Sequence, residues 1–192
     1  MLNHDLVFVQ ETKLSKGGQE EFRRWITSLG GRVYFNGLMA GRTGTLIIET
    51  SSLTSRYSSL PTPGGPIWKG YIQGRRYTPL DPLSGARAFQ AINAYFFTGP
   101  KKGEVQSEMF TRLLSVEDSV PTFLAGDLNF IVLREDTTGF TRSRTLSADN
   151  LDLWRKVLGR FSLQDIAMSP HTHFHTGPSP WSSRLDRAYS PP

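Results

Sequence analysis

Apolar and polar positions alternate along this chain in short stretches that predict strands, interrupted by three stretches with helical spacing. "DLVFVQ", residues 5–10, is apolar and β-branched and predicts a buried strand. From Gly17 the period changes: Phe22, Trp25, Ile26 and Leu29 recur on one helical face until Gly30 and Gly31 end the helix. Strands follow at 32–35 and 43–49, and the Ser-, Thr-, Pro- and Gly-rich stretch Thr50–Pro66 predicts a long exposed connection. "IWKGYIQGRRY" (67–77) and "RAFQAINAYFF" (87–97) predict two strands joined by the turn-forming "TPLDPLSG". A helix over about 104–116 places Val105, Met109 and Leu113 on one face, beside Phe110 and Leu114. "PTFLAG" (121–126) is another buried strand. "DNLDLWRKVLGRF" (149–161) predicts a helix with Leu151, Trp154, Val157 and Leu158 inward and Asp149 or Asn150 near its cap. "THFHT" and "SSRLDRAYS" predict two more strands. No internal repeat is visible, and the mixture of hairpin-like neighbours with helical crossovers predicts an α/β sandwich containing a mixed sheet.

Composition narrows this picture only in places. At 192 residues the chain buries a sizeable core as one globular unit, and its 38% hydrophobic and 20% charged residues exclude a disordered or fibrous protein. Twenty-two basic against seventeen acidic residues give a net charge of +5. That excess suits an anionic partner such as nucleic acid, and equally serves solubility. The absence of cysteine rules out disulfides, thiol nucleophiles and thiolate metal sites. No apolar run approaches the roughly 20 residues of a membrane span, and no basic segment precedes the first apolar stretch, so neither a membrane protein nor a secretory signal is expected.

The informative residues are polar ones at the ends of apolar strands, where an unpaired carboxylate or amide is costly. Glu11 follows the first strand, Tyr95 lies in an aromatic run, Asp127 and Asn129 follow Gly126, and Asp186 sits between Arg184 and Arg187. Singly, each has a plain alternative. Glu11 can be a solvated strand end, Tyr95 a core aromatic, Asp127 an Asx-turn residue with Asn129 as its partner, and Asp186 half of an ion pair. Their order along the chain is what those alternatives do not explain.

That order, "VFVQET" (7–12), "INAYFFTG" (92–99), "FLAGDLNF" (123–130) and "SRLDRAY" (183–189), resembles successive motifs of the endonuclease/exonuclease/phosphatase superfamily. Within it, the chain looks closest to the apurinic-type endonuclease domains of non-LTR retrotransposons. The resemblance implies a DNase-I-like four-layer fold, two mixed β-sheets flanked by helices, with residues 1–192 forming one partial domain. It implies cleavage of a phosphate ester assisted by Mg²⁺, with Mn²⁺ as a possible substitute. Glu11 matches the family's metal-binding glutamate. Asp127 matches the aspartate that orients or deprotonates the attacking water, and Asn129 the neighbouring amide that contacts phosphate. Tyr95 matches a phenol beside the scissile phosphate, and Asp186 the carboxylate that orients a terminal histidine.

Two of the family's elements have no match: a first strand carrying an asparagine near the metal, and a closing Ser-Asp-His segment. The expectation is therefore a domain truncated at both ends, with an inactive remnant of the fold as one alternative and a phosphatase or phosphodiesterase acting on a small molecule or lipid headgroup as another. His171, His173 and His175 alternate as a strand face would, and a structural or solvent-facing role is favoured for them over metal binding. Thr172 matches a family threonine. Arg134, Arg142 and Arg144 follow the Asp127 motif and are candidate contacts to DNA phosphates, with Lys101 and Lys102 extending a basic rim. DNA is the expected partner, a fused or downstream reverse transcriptase is a further one, and nuclear placement is what retroelement descent would imply.

Overall fold

The structure is a computed structural model that describes residues 4–37, 44–62, 68, 70–132, 136–138, 145–166, 172–175, 181–183 and 185–192. In chain order its elements are β1 (Leu6–Val9), α1 (Lys16–Ser28), β2 (Arg32–Gly37), β3 (Gly44–Glu49), α2 (Ser51–Thr54), β4 (Tyr57–Pro61), β5 (Ile72–Pro79) and β6 (Phe89–Ala94). They continue as α3 (Lys102–Leu114), β7 (Thr122–Asp127), β8 (Thr137–Thr138), α4 (Ala148–Arg160), β9 (Gln164–Asp165), β10 (His173–His175), β11 (Trp181–Ser183) and β12 (Asp186–Ser190). One sheet has the order β1-β3-β2 and is antiparallel throughout. The other has the order β4-β5-β6-β7-β12-β9, and its β6–β7 pair is parallel, so it is the mixed one. Helix, sheet, sheet, helix is the resulting succession of layers.

The outer layers follow from the helical periodicity. Met109, Phe110 and Leu113 of α3 and Trp154 and Val157 of α4 are buried against Ile92, Ala94, Phe96, Leu124 and Tyr189 of the six-stranded sheet. Phe96, Phe110, Phe130 and Trp154 form a ring cluster, with Phe96–Phe110 centroids 5.0 Å apart and Phe130–Trp154 centroids 5.4 Å apart. On the opposite side Ile26 of α1 packs on Val33, Leu46 and Ile48, with Phe22 partly buried beside them. The predicted apolar stripe of α1 is only half used, since Trp25 and Leu29 are 54% and 59% exposed. A three-stranded sheet offers too narrow a surface to receive the whole stripe.

Between the sheets the packing is mixed. Leu53, Tyr77 and Ala91 make a small apolar cluster with Leu6, Phe8, Tyr57 and Phe89. Beside it, side-chain amides join the layers: Asn36 Nδ2 donates to Ile72 O at 2.9 Å, and Gln73 Nε2 to Tyr34 O at 3.0 Å. Buried Glu49 faces Arg75 at 3.4 Å, and the Arg75 guanidinium lies 3.4 Å from the Tyr34 ring centroid.

Several expectations need correction. The stretch 50–66 contains α2 and the edge strand β4, because Leu53 supplies a buried anchor and the Ser-rich β4 pairs with β5 along its whole length. The strand 5–10 is partly buried rather than buried, since among the described residues β1 is an edge strand paired only with β3. Ser147 caps α4, its side chain accepting from Asn150 N, and Asp149 and Asn150 stand near that cap in the first turn. "SSRLDRAYS" is two strands: β11 joins β10 and β8 in a small third sheet, whereas β12 enters the six-stranded one.

Candidate functional site

The parallel β6–β7 pair brings two carboxyl ends to one end of the large sheet. Continuing its register, Asn93 opposite Ala125, sets Tyr95 beside Asp127, and Phe96 N donates to Asp127 O at 2.9 Å. Gly126 is required there, since its φ is +149° and a Cβ would collide with the Ala94 carbonyl. Across the antiparallel β7–β12 pair Asp127 faces Asp186 directly, so the two carboxylates project from the same face. That face is turned towards the first sheet, as Asn93 shows by bonding to Val9 and Leu46. It is open at β7, where Phe123 is 40% exposed.

The first sheet contributes Glu11, just beyond β1. The Tyr95 hydroxyl donates to Glu11 Oε1 in a short hydrogen bond, which joins the ends of β6 and β1. Lys13 Nζ lies 3.6 Å from Glu11 Oε2, a half-exposed contact of little energetic weight. Burial raises the Tyr95 phenol well above its ordinary pKa, and the hydrogen bond to Glu11 and the nearby Glu11 and Asp127 charges raise it further. The group is therefore a protonated hydrogen-bond donor at neutral pH. Tyr71 stacks on it with the rings 6° from parallel and 6.1 Å between centroids, and Tyr95 N donates to Tyr71 O at 2.8 Å.

Asp127 does form an Asx turn: its Oδ1 accepts from Asn129 N at 2.9 Å. The turn fixes the direction of the carboxylate at the end of β7. Asn129 has φ +53° and is buried, with Nδ2 donating to Phe96 O at 3.1 Å. Glu11 also has φ +53°, a conformation a glutamate rarely adopts, and such outliers gather at functional sites.

Asp186 is not the ion-pair partner of Arg187. Arg187 points to the helical side of the sheet, where its NH1 donates to Asp165 at 2.7 Å and its NH2 to buried Asp136. Thr172 sets the corner before Asp186, its Oγ1 accepting from Leu185 N at 3.1 Å and Asp186 N at 3.0 Å. Sequence reading missed Gln10, Asn93 and Tyr71, whose only signal was adjacency to the motif residues. Arg134, Arg142, Arg144 and His171 lie outside the described residues, as do the side chains of His173 and His175.

Among the described residues no group of three or more metal-ligating side chains gathers. Mg²⁺ is commonly held by one or two carboxylates, several waters and substrate phosphate, and a half-exposed Glu11 amid converging negative charge fits that demand. No described helix is long and apolar enough to cross a membrane.

The fold recurs widely. The catalytic domain of Xenopus laevis APE2 superposes with a TM-score of 0.70 at 16% identity, covering 99% of this chain and 74% of that one. An AP endonuclease from Archaeoglobus fulgidus gives 0.64 at 15% identity, over 97% of this chain and 76% of that one. A 3′ phosphatase, NExo, from Neisseria, bound to product DNA hairpin, gives 0.64 at 16% identity, over 98% and 76%. No curated protein sequence matches. The family model for the endonuclease/exonuclease/phosphatase family matches residues 1–192, and the chain belongs to that family.

Proposed function

We propose that this chain hydrolyses phosphodiester bonds in nucleic acid with a divalent metal, as a DNA endonuclease domain of retroelement type. The observation that carries the reading is the hydrogen bond from Tyr95 to Glu11, which joins the ends of strands from both sheets beside Asp127. Glu11 would hold Mg²⁺ or Mn²⁺, which would supply Lewis-acid stabilisation of the phosphoryl oxygens. Asp127, fixed by its turn to Asn129 N, orients the attacking water and takes its proton. Asn129 offers its second amide hydrogen to a phosphate oxygen, an approach an uncharged donor makes without repulsion. Tyr95, held protonated, gives its one hydroxyl proton to Glu11 and so places its phenol oxygen beside the scissile phosphate. Asp186 orients a cationic or proton-carrying group opposite Asp127, where two like charges otherwise repel.

DNA as the substrate is supported by family membership, by the net charge of +5, and by a DNA-bound phosphatase among the structures of like fold. Arg134, Arg142 and Arg144 are assigned to backbone phosphates, and a downstream or fused reverse transcriptase belongs to the same reading. The test is Mg²⁺-dependent nicking of supercoiled plasmid by the purified chain. Nicking abolished by EDTA, and lost in Glu11→Gln and in Asp127→Ala, is the expected result. A folded chain that leaves plasmid intact at every Mg²⁺ and Mn²⁺ concentration contradicts it.

A further inference from the structure

Glu11 combines an unfavourable backbone conformation with half-exposure at the end of an edge strand. Its own element does little to hold it. The adjacent Gln10, however, donates from Nε2 to Asn93 Oδ1 at 2.6 Å. Asn93 is fully buried, and its Nδ2 donates to Val9 O at 3.1 Å and Leu46 O at 2.9 Å. Both amide hydrogens are thus committed to the backbone of the first sheet, so the amide has one orientation and its oxygen faces Gln10. One residue further from β1 stands Glu11; two residues further along β6, on the same face, stands Tyr95. Gln10–Asn93 and Glu11–Tyr95 are successive rungs between the same two segments.

We propose that Gln10 and Asn93 are positioning residues: their rung sets the spacing of β1 against β6, so that Glu11 meets Tyr95 and presents its carboxylate for the divalent cation. The proposal rests on the reading of Glu11 as a metal ligand. Neutral amides suit these places, because a carboxylate at position 10 would compete for the cation, and one at position 93 would remove the side-chain donor from two backbone carbonyls of the first sheet. The energetic logic is that of groups behind a metal ligand, whose loss costs roughly 10–100-fold in metal affinity.

The test uses Gln10→Met, which keeps the length of the side chain and removes the donor. Mn²⁺ binding is followed by the EPR signal of the free ion, stability by thermal unfolding, and geometry by a crystal structure of the variant. Mn²⁺ affinity is expected to fall roughly 10–100-fold, with Glu11 withdrawn from Tyr95 and Tm nearly unchanged. A variant that keeps Glu11 on Tyr95, or one that binds Mn²⁺ as the wild type does, overturns the proposal. So does a lowered Tm as the sole change, which marks Gln10 as structural. A wild-type chain that binds no Mn²⁺ removes the metal reading alone, and the position of Glu11 in the variant crystal then decides whether Gln10 positions it.

Discussion

The two faces of the six-stranded sheet are built on different principles. The face under α3 and α4 is aromatic and aliphatic, with Ile92, Ala94, Phe96, Leu124 and Tyr189 meeting Phe110 and Trp154. The face towards the first sheet carries Gln73, Arg75, Asn93, Tyr95 and Asp127, and beside a small apolar cluster it meets that sheet through amide bonds to strand carbonyls and through side-chain pairs. Hydrophobic burial is non-directional, and it secures the helical side without prescribing fine geometry. Hydrogen bonds between amides and strand carbonyls fix distance and orientation, which is what a site assembled from both sheets needs. The polar face therefore gives up some burial and gains a defined separation of Glu11 from Tyr95 and Asp127.

Substitutions that exchange these principles should break the comparison in order of size. Gly126→Ala, which drives a Cβ into the Ala94 carbonyl, is expected to yield no folded chain by circular dichroism. Arg187 is the exception on the helical face, a buried charge held by Asp136 and Asp165. Arg187→Met removes the buried cation between those carboxylates and should cost about 3–5 kcal/mol in urea unfolding, whereas a loss under about 1 kcal/mol would deny that the pair matters. Neighbouring positions on β6 sharpen the contrast. Asn93→Leu should cost about 1–3 kcal/mol for each carbonyl it orphans, against about 0.5–1.5 kcal/mol for Ile92→Val one residue away. If the two cost the same, the amides are not what joins the sheets.

The smallest effect is one of pH. Tyr77 and Tyr95 both have raised pKa values, through burial first and nearby carboxylates second. The folded chain keeps protons that the unfolded chain releases above about pH 10, so this contribution is complete below that value and is lost as pH rises through it. Stability should decline above about pH 10, and Tyr77→Phe should flatten the decline. An unchanged slope in that variant would place the titrating groups elsewhere.

The same contrast explains what the sequence disclosed. Met109, Phe110, Leu113, Trp154 and Val157 were legible because helical spacing against an apolar layer leaves a periodic trace. Gln73, Arg75 and Asn93 leave no such trace, and only the three-dimensional fold places another sheet over them. Polar alternation does not distinguish water from a polar interior. The segment 50–66 misled for a related reason, since Ser-rich edge strands resemble loops. Glu11, Tyr95, Asp127, Asn129 and Asp186 were singled out by their order along the chain, and the fold brings Glu11 onto Tyr95 and Asp127 opposite Asp186. The plain alternative of an Asp186–Arg187 ion pair fails because neighbours along a strand project from opposite faces.

The central claim is that Glu11 from one sheet and Asp127 from the other work as a single unit. It is tested by comparing single-turnover DNA cleavage by Glu11→Gln, Asp127→Ala and the double variant, all shown to be folded. Groups that act together are strongly non-additive, so the double variant should be no slower than the worse single one. Losses that multiply in the double variant, or a single variant that cleaves as fast as the wild type, would contradict a shared site.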